Sequence, residues 1–149
     1  MSDVNFYHLQ QSTLEQVLPK LLEHVDRANI RAVVLCDSQE RVEVLNTLLW
    51  TYDPGSFLAH GSSKDGYPED QPVYLAVEDE NPNGAEVLIL LDGREVPGLA
   101  EYQRVLDIFD GSDEAALVAA RSRWSGYKAE GHTVVYWQQK ASGAWEQSG

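Results

Sequence analysis

The sequence has few basic residues. Its 11 lysines and arginines stand against 24 aspartates and glutamates, which gives a formal net charge of -13. Proteins whose main ligand is nucleic acid neutralise phosphates with clustered lysine and arginine. The shortage of such residues therefore argues against a dedicated nucleic-acid-binding protein. Acidic charge also favours solubility, so by itself it identifies no partner.

Cysteine and long apolar runs are also scarce. Cys36 is the single cysteine, so no internal disulfide is possible, which suits a reducing compartment. No apolar stretch approaches the ~20 residues of a membrane span. The first ten residues, MSDVNFYHLQ, lack the basic region and the apolar run of a signal peptide. We expect a soluble, cytoplasmic protein.

Glycine is missing where a nucleotide-binding loop would need it. Positions 10–13 (QQST) and 38–40 (SQE) follow the first two predicted strands, and neither GxGxxG nor GxxxxGK[ST] occurs. Without glycine the backbone cannot closely approach a pyrophosphate. The four histidines have no metal-ligand spacing, and there is no GxSxG motif. We therefore predict no cofactor and no metal.

The chain has enough apolar residues for one domain over 1–149. Strands are predicted over 4–9, 31–37, 72–77, 86–92, 105–109 and 133–137. The segments 31–37 and 86–92 are nearly continuous apolar runs, as in strands buried on both faces of a parallel sheet. Because helices alternate with these strands, we predict an α/β fold, a three-layer α/β/α sandwich with a mainly parallel sheet.

The first two helices have candidate start signals. Ser12 resembles an N-cap, with Glu15 as its capping-box partner. Pro19 lies inside the same apolar pattern, and we expect it to kink the helix or delay its start. Ser38 is predicted to cap the second helix.

The rest of the chain supplies a last helix and two irregular segments. Ser112 or Asp113 is predicted to cap that helix, and Gly131 is placed to end it. Segment 56–71 is rich in glycine, serine, aspartate and proline, which predicts a loop. The tail 140–149 is small and polar, and we expect it to be frayed.

Three aspartates lie at or near the carboxyl ends of predicted strands. These are Asp37, Asp92 and Asp110. Open α/β sheets usually place their sites there, and clustered carboxylates can bind Mg²⁺. A nucleotide- or Mg²⁺-dependent enzyme is therefore one hypothesis, but capping of the following loops and helices is the interpretation that we favour.

The last predicted helix combines basic and aromatic residues. Arg121, Arg123 and Lys128 lie within eight positions, with Trp124 and Tyr127 between them. At 3.6 residues per turn, Arg121, Trp124 and Lys128 share one face, and the other two lie on a neighbouring face. The pattern suits a surface that binds an acidic segment carrying a bulky apolar residue.

The same spacing has two other interpretations. A partly solvated helix with its tryptophan and tyrosine in the core fits the periodicity equally well. Stacking of single-stranded nucleic acid is a third possibility, which the strong negative charge disfavours.

Short segments spread over 4–137 together resemble a known family. They are 6–9 (FYHL), 48–50 (LLW), 56–60 (SFLAH), the strand 85–92, 120–124 (ARSRW) and 127–131 (YKAEG). In this order and at these separations, they resemble the chi subunit of bacterial DNA polymerase III. The resemblance implies a non-catalytic replicase subunit with a fold similar to nucleotide-binding domains but lacking the phosphate loop.

The resemblance also implies partners. Family members bind the acidic, Phe-ending C-terminal tail of single-stranded-DNA-binding protein. They also pair with a second small subunit, psi, which links them to the clamp loader. Strong direct nucleic-acid binding and membrane association are not expected.

The tail-binding residues transfer to this chain by position. Arg121 falls on the family's key arginine, and Trp124 falls where the family often has tyrosine. Trp50 and Phe57 match aromatic positions beside that site. Lys128, Arg123 and Tyr127 complete the predicted partner-binding set.

Two positions depart from the family pattern. Ser125 replaces a lysine that some members use, and Leu117 replaces a basic residue one turn before the key arginine. The resemblance therefore implies a less positive pocket, with a lower affinity for the tail or a greater dependence on its phenylalanine.

Overall fold

A single sheet forms the centre of the molecule. The structure is a computed structural model that describes residues 2–52, 60–62, 67–97 and 99–147. Its strands are β1 (Asp3–Leu9), β2 (Ala32–Leu35), β3 (Gly61–Ser62), β4 (Val73–Ala76), β5 (Val87–Leu90), β6 (Arg104–Asp110), β7 (Thr133–Gln139) and β8 (Trp145–Gln147). Their order is β3-β4-β2-β5-β6-β1-β7-β8. Neighbouring strands are parallel except for β7 and β8.

Helices cover both faces of the sheet. They are α1 (Leu14–Arg27), α2 (Gln39–Thr51) and α3 (Glu114–Ala129), with 3-10 helices at Pro68–Asp70 and Leu99–Glu101. Apolar side chains of α1 and α2 pack on one face, and those of α3 pack on the other. The predicted three-layer α/β/α sandwich with a mainly parallel sheet is confirmed.

The central strands explain why helices pack on both faces of this sheet. In β2, Ala32 and Val34 belong to the core under α1 and α2, whereas Val33 and Leu35 belong to the core under α3. All four are buried. Because successive side chains of a strand point to opposite faces, a continuous apolar run buries both faces.

The start of α1 differs from its prediction by one residue. Thr13, not Ser12, is the N-cap, and its capping-box partner is Gln16. The Gln16 N–H donates to Thr13 Oγ1 over 3.3 Å, and the Thr13 N–H donates to Gln16 Oε1 over 2.9 Å. Ser12 Oγ accepts instead from Gln139 Nε2. Pro19 does not delay the helix, which already begins five residues before it.

The other predicted helix ends agree with the structure. Ser38 caps α2 by accepting from the Arg41 N–H. Asp113, one of the two candidates, caps α3 by accepting from the N–H groups of residues 115 and 116. Gly131 follows α3 with φ of 93°, a left-handed conformation that favours glycine.

Two segments predicted to be irregular contain strands. Within 56–71, β3 pairs with β4 at the edge of the sheet. Within the tail expected to be frayed, β8 pairs with β7 in an antiparallel hairpin. Both strands are short, so neither has a period that reveals it in the sequence. None of the described helices is long and apolar enough to cross a membrane.

The topology creates a crevice at the carboxyl edge of the sheet. β1 and β6 are neighbours, but β1 leads into α1 on one face and β6 leads into α3 on the other. Open α/β sheets bind ligands at such a switch point. The crevice here has a volume of about 750 Å³.

Candidate partner-binding surface

Helix α3 carries the predicted surface, and its packing decides which residues are available. Ala120, Arg123 and Tyr127 are buried against the sheet. Arg121 and Lys128 are exposed. The helical period correctly separated these two groups onto neighbouring faces, and the structure shows which face points inward.

Arg123 lies in the interior rather than on the predicted surface. Its Nε donates to Asp107 Oδ2 over 2.7 Å, and its Nη2 donates to Asp107 Oδ1 over 3.0 Å. The side chains are 5% and 1% exposed. Asp107 lies on β6 between Val105 and Phe109, which belong to the core under α3. The ion pair therefore anchors α3 to the sheet, and Arg123 is not available to a partner.

Tyr127 is also a core residue. Its ring centroid lies 6.0 Å from that of Phe6, and the residue is 5% exposed. Burial raises the pKa of Tyr127, and its hydroxyl has no hydrogen-bond partner among the described residues. The prediction of Tyr127 as a surface contact is therefore wrong for this structure, because the aromatic ring fills space between α3 and β1.

Trp124, Arg121 and Lys128 form the accessible part of the cluster, which we call the α3 surface. Trp124 is half-buried against the core under α3. Lys128 Nζ lies 4.6 Å from the centroid of the Trp124 ring, within range of a cation–π contact. Leu117, also half-buried on the same core, extends this face by two turns. An apolar strip is thus flanked by two cations.

Two residues outside the predicted partner-binding set, His8 and Tyr136, lie near Arg121. His8 Nδ1 and the Tyr136 hydroxyl are 2.6 Å apart. Burial and the nearby Arg121 guanidinium lower the pKa of His8. Burial raises the pKa of Tyr136, against the opposing effect of Arg121. The alternation of side chains along β1 could have placed His8 on this side of the sheet, because Val4, Phe6 and His8 all point toward α3.

The lowered pKa of His8 predicts a pH dependence of stability. A base with a depressed pKa in the folded state takes up its proton more readily when unfolded. The contribution of neutral His8 to the free energy of unfolding is therefore complete above the unfolded-state pKa of ~6.5, and it is lost as the pH falls. We expect the free energy of unfolding to fall more steeply between about pH 7 and pH 5 in the wild type than in His8→Asn. Urea unfolding at several pH values measures both slopes; equal slopes would contradict this assignment.

Trp50 does not lie beside the α3 surface. It is on α2, which packs on the opposite face of the sheet, and its ring centroid is 4.6 Å from that of His60. Trp50 is 53% exposed. The structure therefore places Trp50 apart from Trp124, whereas the resemblance puts it beside the tail-binding residues. Phe57 lies outside the described residues.

Two of the three strand-end aspartates, Asp92 and Asp110, have other roles in the structure. Asp92 Oδ2 lies 3.5 Å from Arg41 Nε. Asp110 accepts hydrogen bonds from the N–H and the hydroxyl of Ser112, and these bonds lower its pKa. Within the described ranges, no group of histidine, cysteine, aspartate and glutamate side chains is arranged to hold a metal ion. The structure thus offers no specific observation in favour of the Mg²⁺ hypothesis.

The loop after β1 uses its backbone donors within the protein. The N–H groups of Gln10, Gln11 and Ser12 all point to Gln139 Oε1, at 3.2, 2.8 and 3.0 Å. Gln139 is 3% exposed, and its Nε2 donates to Ser12 Oγ and to the Gly143 carbonyl. Three successive N–H groups on one oxygen form the kind of nest that binds anions elsewhere. Here a side-chain amide fills it.

Comparison with known proteins gives the chain a family. The family model described as "DNA polymerase III chi subunit, HolC" matches residues 1–135. A relative from Rickettsia prowazekii named "Probable DNA polymerase III subunit chi" is 29% identical over 109 residues, which cover 73% of this chain and 66% of the relative. The chain thus spans slightly less than two thirds of that relative's length.

A second relative is covered more completely. The DNA polymerase III subunit chi of Haemophilus influenzae is 24% identical over 131 residues, which cover 85% of this chain and 90% of the relative. The family match extends over most of the sheet and all three helices, and it agrees with the resemblance found in the sequence. The chain belongs to the DNA polymerase III chi subunit family.

Proposed function

We propose that this protein is a non-catalytic, cytoplasmic accessory subunit of DNA polymerase III whose α3 surface binds the acidic C-terminal tail of single-stranded-DNA-binding protein. The observation that carries the proposal is the pair of exposed cations, Arg121 and Lys128, on either side of half-buried Trp124. In a chain of net charge -13, such a local excess of positive charge favours an anionic segment.

The chemistry of the α3 surface matches a tail that ends in phenylalanine. Arg121 can hold a carboxylate in a two-pronged hydrogen-bonded arrangement, which lysine cannot reproduce. Trp124 and Leu117 supply apolar area for the aromatic ring. Since Ser125 and Leu117 are uncharged, we expect the apolar contacts to contribute a larger share of the affinity than salt bridges do.

We expect Arg121→Ala to weaken tail binding by about tenfold or more. The loss of a charge-assisted hydrogen bond removes ~1.5–3 kcal/mol of binding free energy. Isothermal titration of an acidic peptide that ends in phenylalanine measures the change. Arg27→Ala is the matched control, because Arg27 lies on α1 with its side chain 72% exposed, and its one ion pair among the described residues is a 3.8 Å contact to Glu23.

The proposal predicts two further results of that titration. Affinity should decrease as salt increases, because part of the interaction is between exposed charges. A peptide that lacks the terminal phenylalanine should bind more weakly than the intact one. Absence of binding by the wild-type protein, or equal losses in Arg121→Ala and Arg27→Ala, would refute the role of the α3 surface.

The proposal includes association with the clamp loader through a psi subunit. We assign none of the described surface residues to the contact with psi. Co-purification of the two proteins tests the association directly.

A further inference from the structure

A second groove lies on the other side of the sheet from the α3 surface. It runs between α1 and the β7–β8 hairpin and has a volume of about 380 Å³. Tyr7, Trp137 and Trp145 line it from the sheet, and Leu21 and Lys20 line it from α1. Its volume falls within the range of ligand-binding clefts, roughly 300–1,000 Å³. We call it the α1–hairpin groove.

Contacts within the protein fix the aromatic side chains of this groove in the absence of a ligand. The Tyr7 and Trp145 rings meet edge to face, with centroids 5.2 Å apart and an interplanar angle of 85°. Trp137 Nε1 donates to Asn5 Oδ1 over 3.1 Å, which fixes the indole. All three rings are half-buried. A ligand can therefore bury apolar area here with little loss of side-chain entropy.

The α1 side of the groove supplies positive charge. Lys20 is exposed and forms no ion pair with any residue that the structure describes. His24 follows one turn later on the same helical row. Lys20 is thus one of the 11 lysines and arginines of the protein, and it lies beside three aromatic rings without an ion-pair partner among the described residues.

We propose that the α1–hairpin groove binds a short acidic peptide segment through an aromatic side chain, with Lys20 holding a neighbouring carboxylate. One lysine can balance one carboxylate. It cannot balance the repeated phosphates of a nucleic acid against a net charge of -13. The groove lies on the opposite face from Arg121, so the inference does not depend on the proposed function of the α3 surface.

The distribution of tryptophan provides a direct test. Two of the four tryptophans, Trp137 and Trp145, line the groove, whereas Trp124 lies on the α3 surface and Trp50 lies on α2. Each indole N–H gives its own NMR signal, which single Trp→Phe variants assign. The probe is a blocked peptide of four aspartates around one central phenylalanine. We expect the Trp137 and Trp145 signals to shift in a saturable manner in the Arg121→Ala protein, while Trp50 stays unchanged.

Charge substitutions on α1 complete the test. Lys20→Ala should reduce the affinity reported by Trp137 and Trp145 by about threefold to fivefold, and Lys20→Arg should restore it. Arg27→Ala on the same helix should leave it unchanged. A matching peptide with asparagine in place of aspartate should bind more weakly by a similar factor.

The outcomes separate the two surfaces. Shifts of Trp124 without shifts of Trp137 and Trp145 would overturn the groove proposal and leave the proposed function intact. In the wild-type protein, with Arg121 intact, shifts of Trp137 and Trp145 alone would support the groove and count against the α3 surface. Equal binding of the aspartate and asparagine peptides would overturn the assigned ligand chemistry.

Discussion

Asp107→Ala is expected to reduce the free energy of unfolding by about 3–5 kcal/mol, because it leaves the buried Arg123 guanidinium without its counter-charge. Both Arg123 bonds to Asp107 are short, at 2.7 and 3.0 Å. The free energy of unfolding of a domain is typically about 5–15 kcal/mol, so a loss of this size removes a large share of the stability. Urea unfolding followed by tryptophan fluorescence measures the difference.

A double variant distinguishes the buried charge from a general packing defect. Replacing both members of a buried ion pair with apolar residues is often neutral or stabilising. Asp107→Leu combined with Arg123→Met should therefore recover most of the stability that Asp107→Ala loses. Asp110→Ala is the control on the same strand, because Asp110 is exposed and its change should remove about 1 kcal/mol or less. A small loss in Asp107→Ala, or no recovery in the double variant, would contradict the assignment.

Gln139→Ala is expected to reduce the free energy of unfolding by about 2–4 kcal/mol. The substitution removes the oxygen that accepts from the three N–H groups of residues 10–12. Each buried donor left without a partner costs ~1–3 kcal/mol, which water entering the space offsets in part. Gln138→Ala is the neighbouring control on β7, because no side-chain hydrogen bond of Gln138 joins this network within the described residues.

Hydrogen exchange locates the effect of Gln139→Ala. The amides of Gln10, Gln11 and Ser12 should lose protection by more than the rest of β1 does. In Gln139→Glu, a carboxylate still accepts from the three donors, but the bonds from Nε2 to Ser12 and Gly143 are lost, so the loss of stability should be intermediate. Unchanged protection of residues 10–12 in the alanine variant would show that Gln139 does not hold this loop.

These two side chains also explain how the candidate surfaces are positioned. The ion pair between Asp107 and Arg123 holds one side of α3 on the sheet, and Arg121 is left exposed and Trp124 half-buried. Gln139 ties the β7–β8 hairpin to the start of α1, and these two elements form the α1–hairpin groove. Both side chains are buried, so each can affect the proposed recognition only by fixing the backbone.

Much of the architecture was predictable because its signals are local. The continuous apolar runs at β2 and β5 predict strands covered on both faces, and the alternating helices predict a parallel sheet. The cap at Ser38 and the glycine at 131 act within a few residues of their own positions. The missing glycines likewise exclude a phosphate loop without any knowledge of the fold.

The exposed face of α3 was not predictable in the same way. The helix carries apolar or aromatic residues on several sides, including exposed Val118 and buried Tyr127. Its periodicity therefore does not specify which side meets the sheet. In the structure Arg123 on the buried side pairs with Asp107, and nothing in the sequence distinguishes Asp107 from the other aspartates and glutamates, which number 24 in all.

The sequence by itself determined the fold class, the lack of a nucleotide loop, the family resemblance and the basic-aromatic character of α3. Only the tertiary structure decided that Arg123 and Tyr127 face inward, that Trp50 lies across the sheet from Trp124, and that Gln139 fills the nest after β1. The physical reason is distance along the chain. Propensity, capping and periodicity act between residues a few positions apart, whereas Gln139 bonds to residues 127 to 129 positions away, and strand order decides which of them meet.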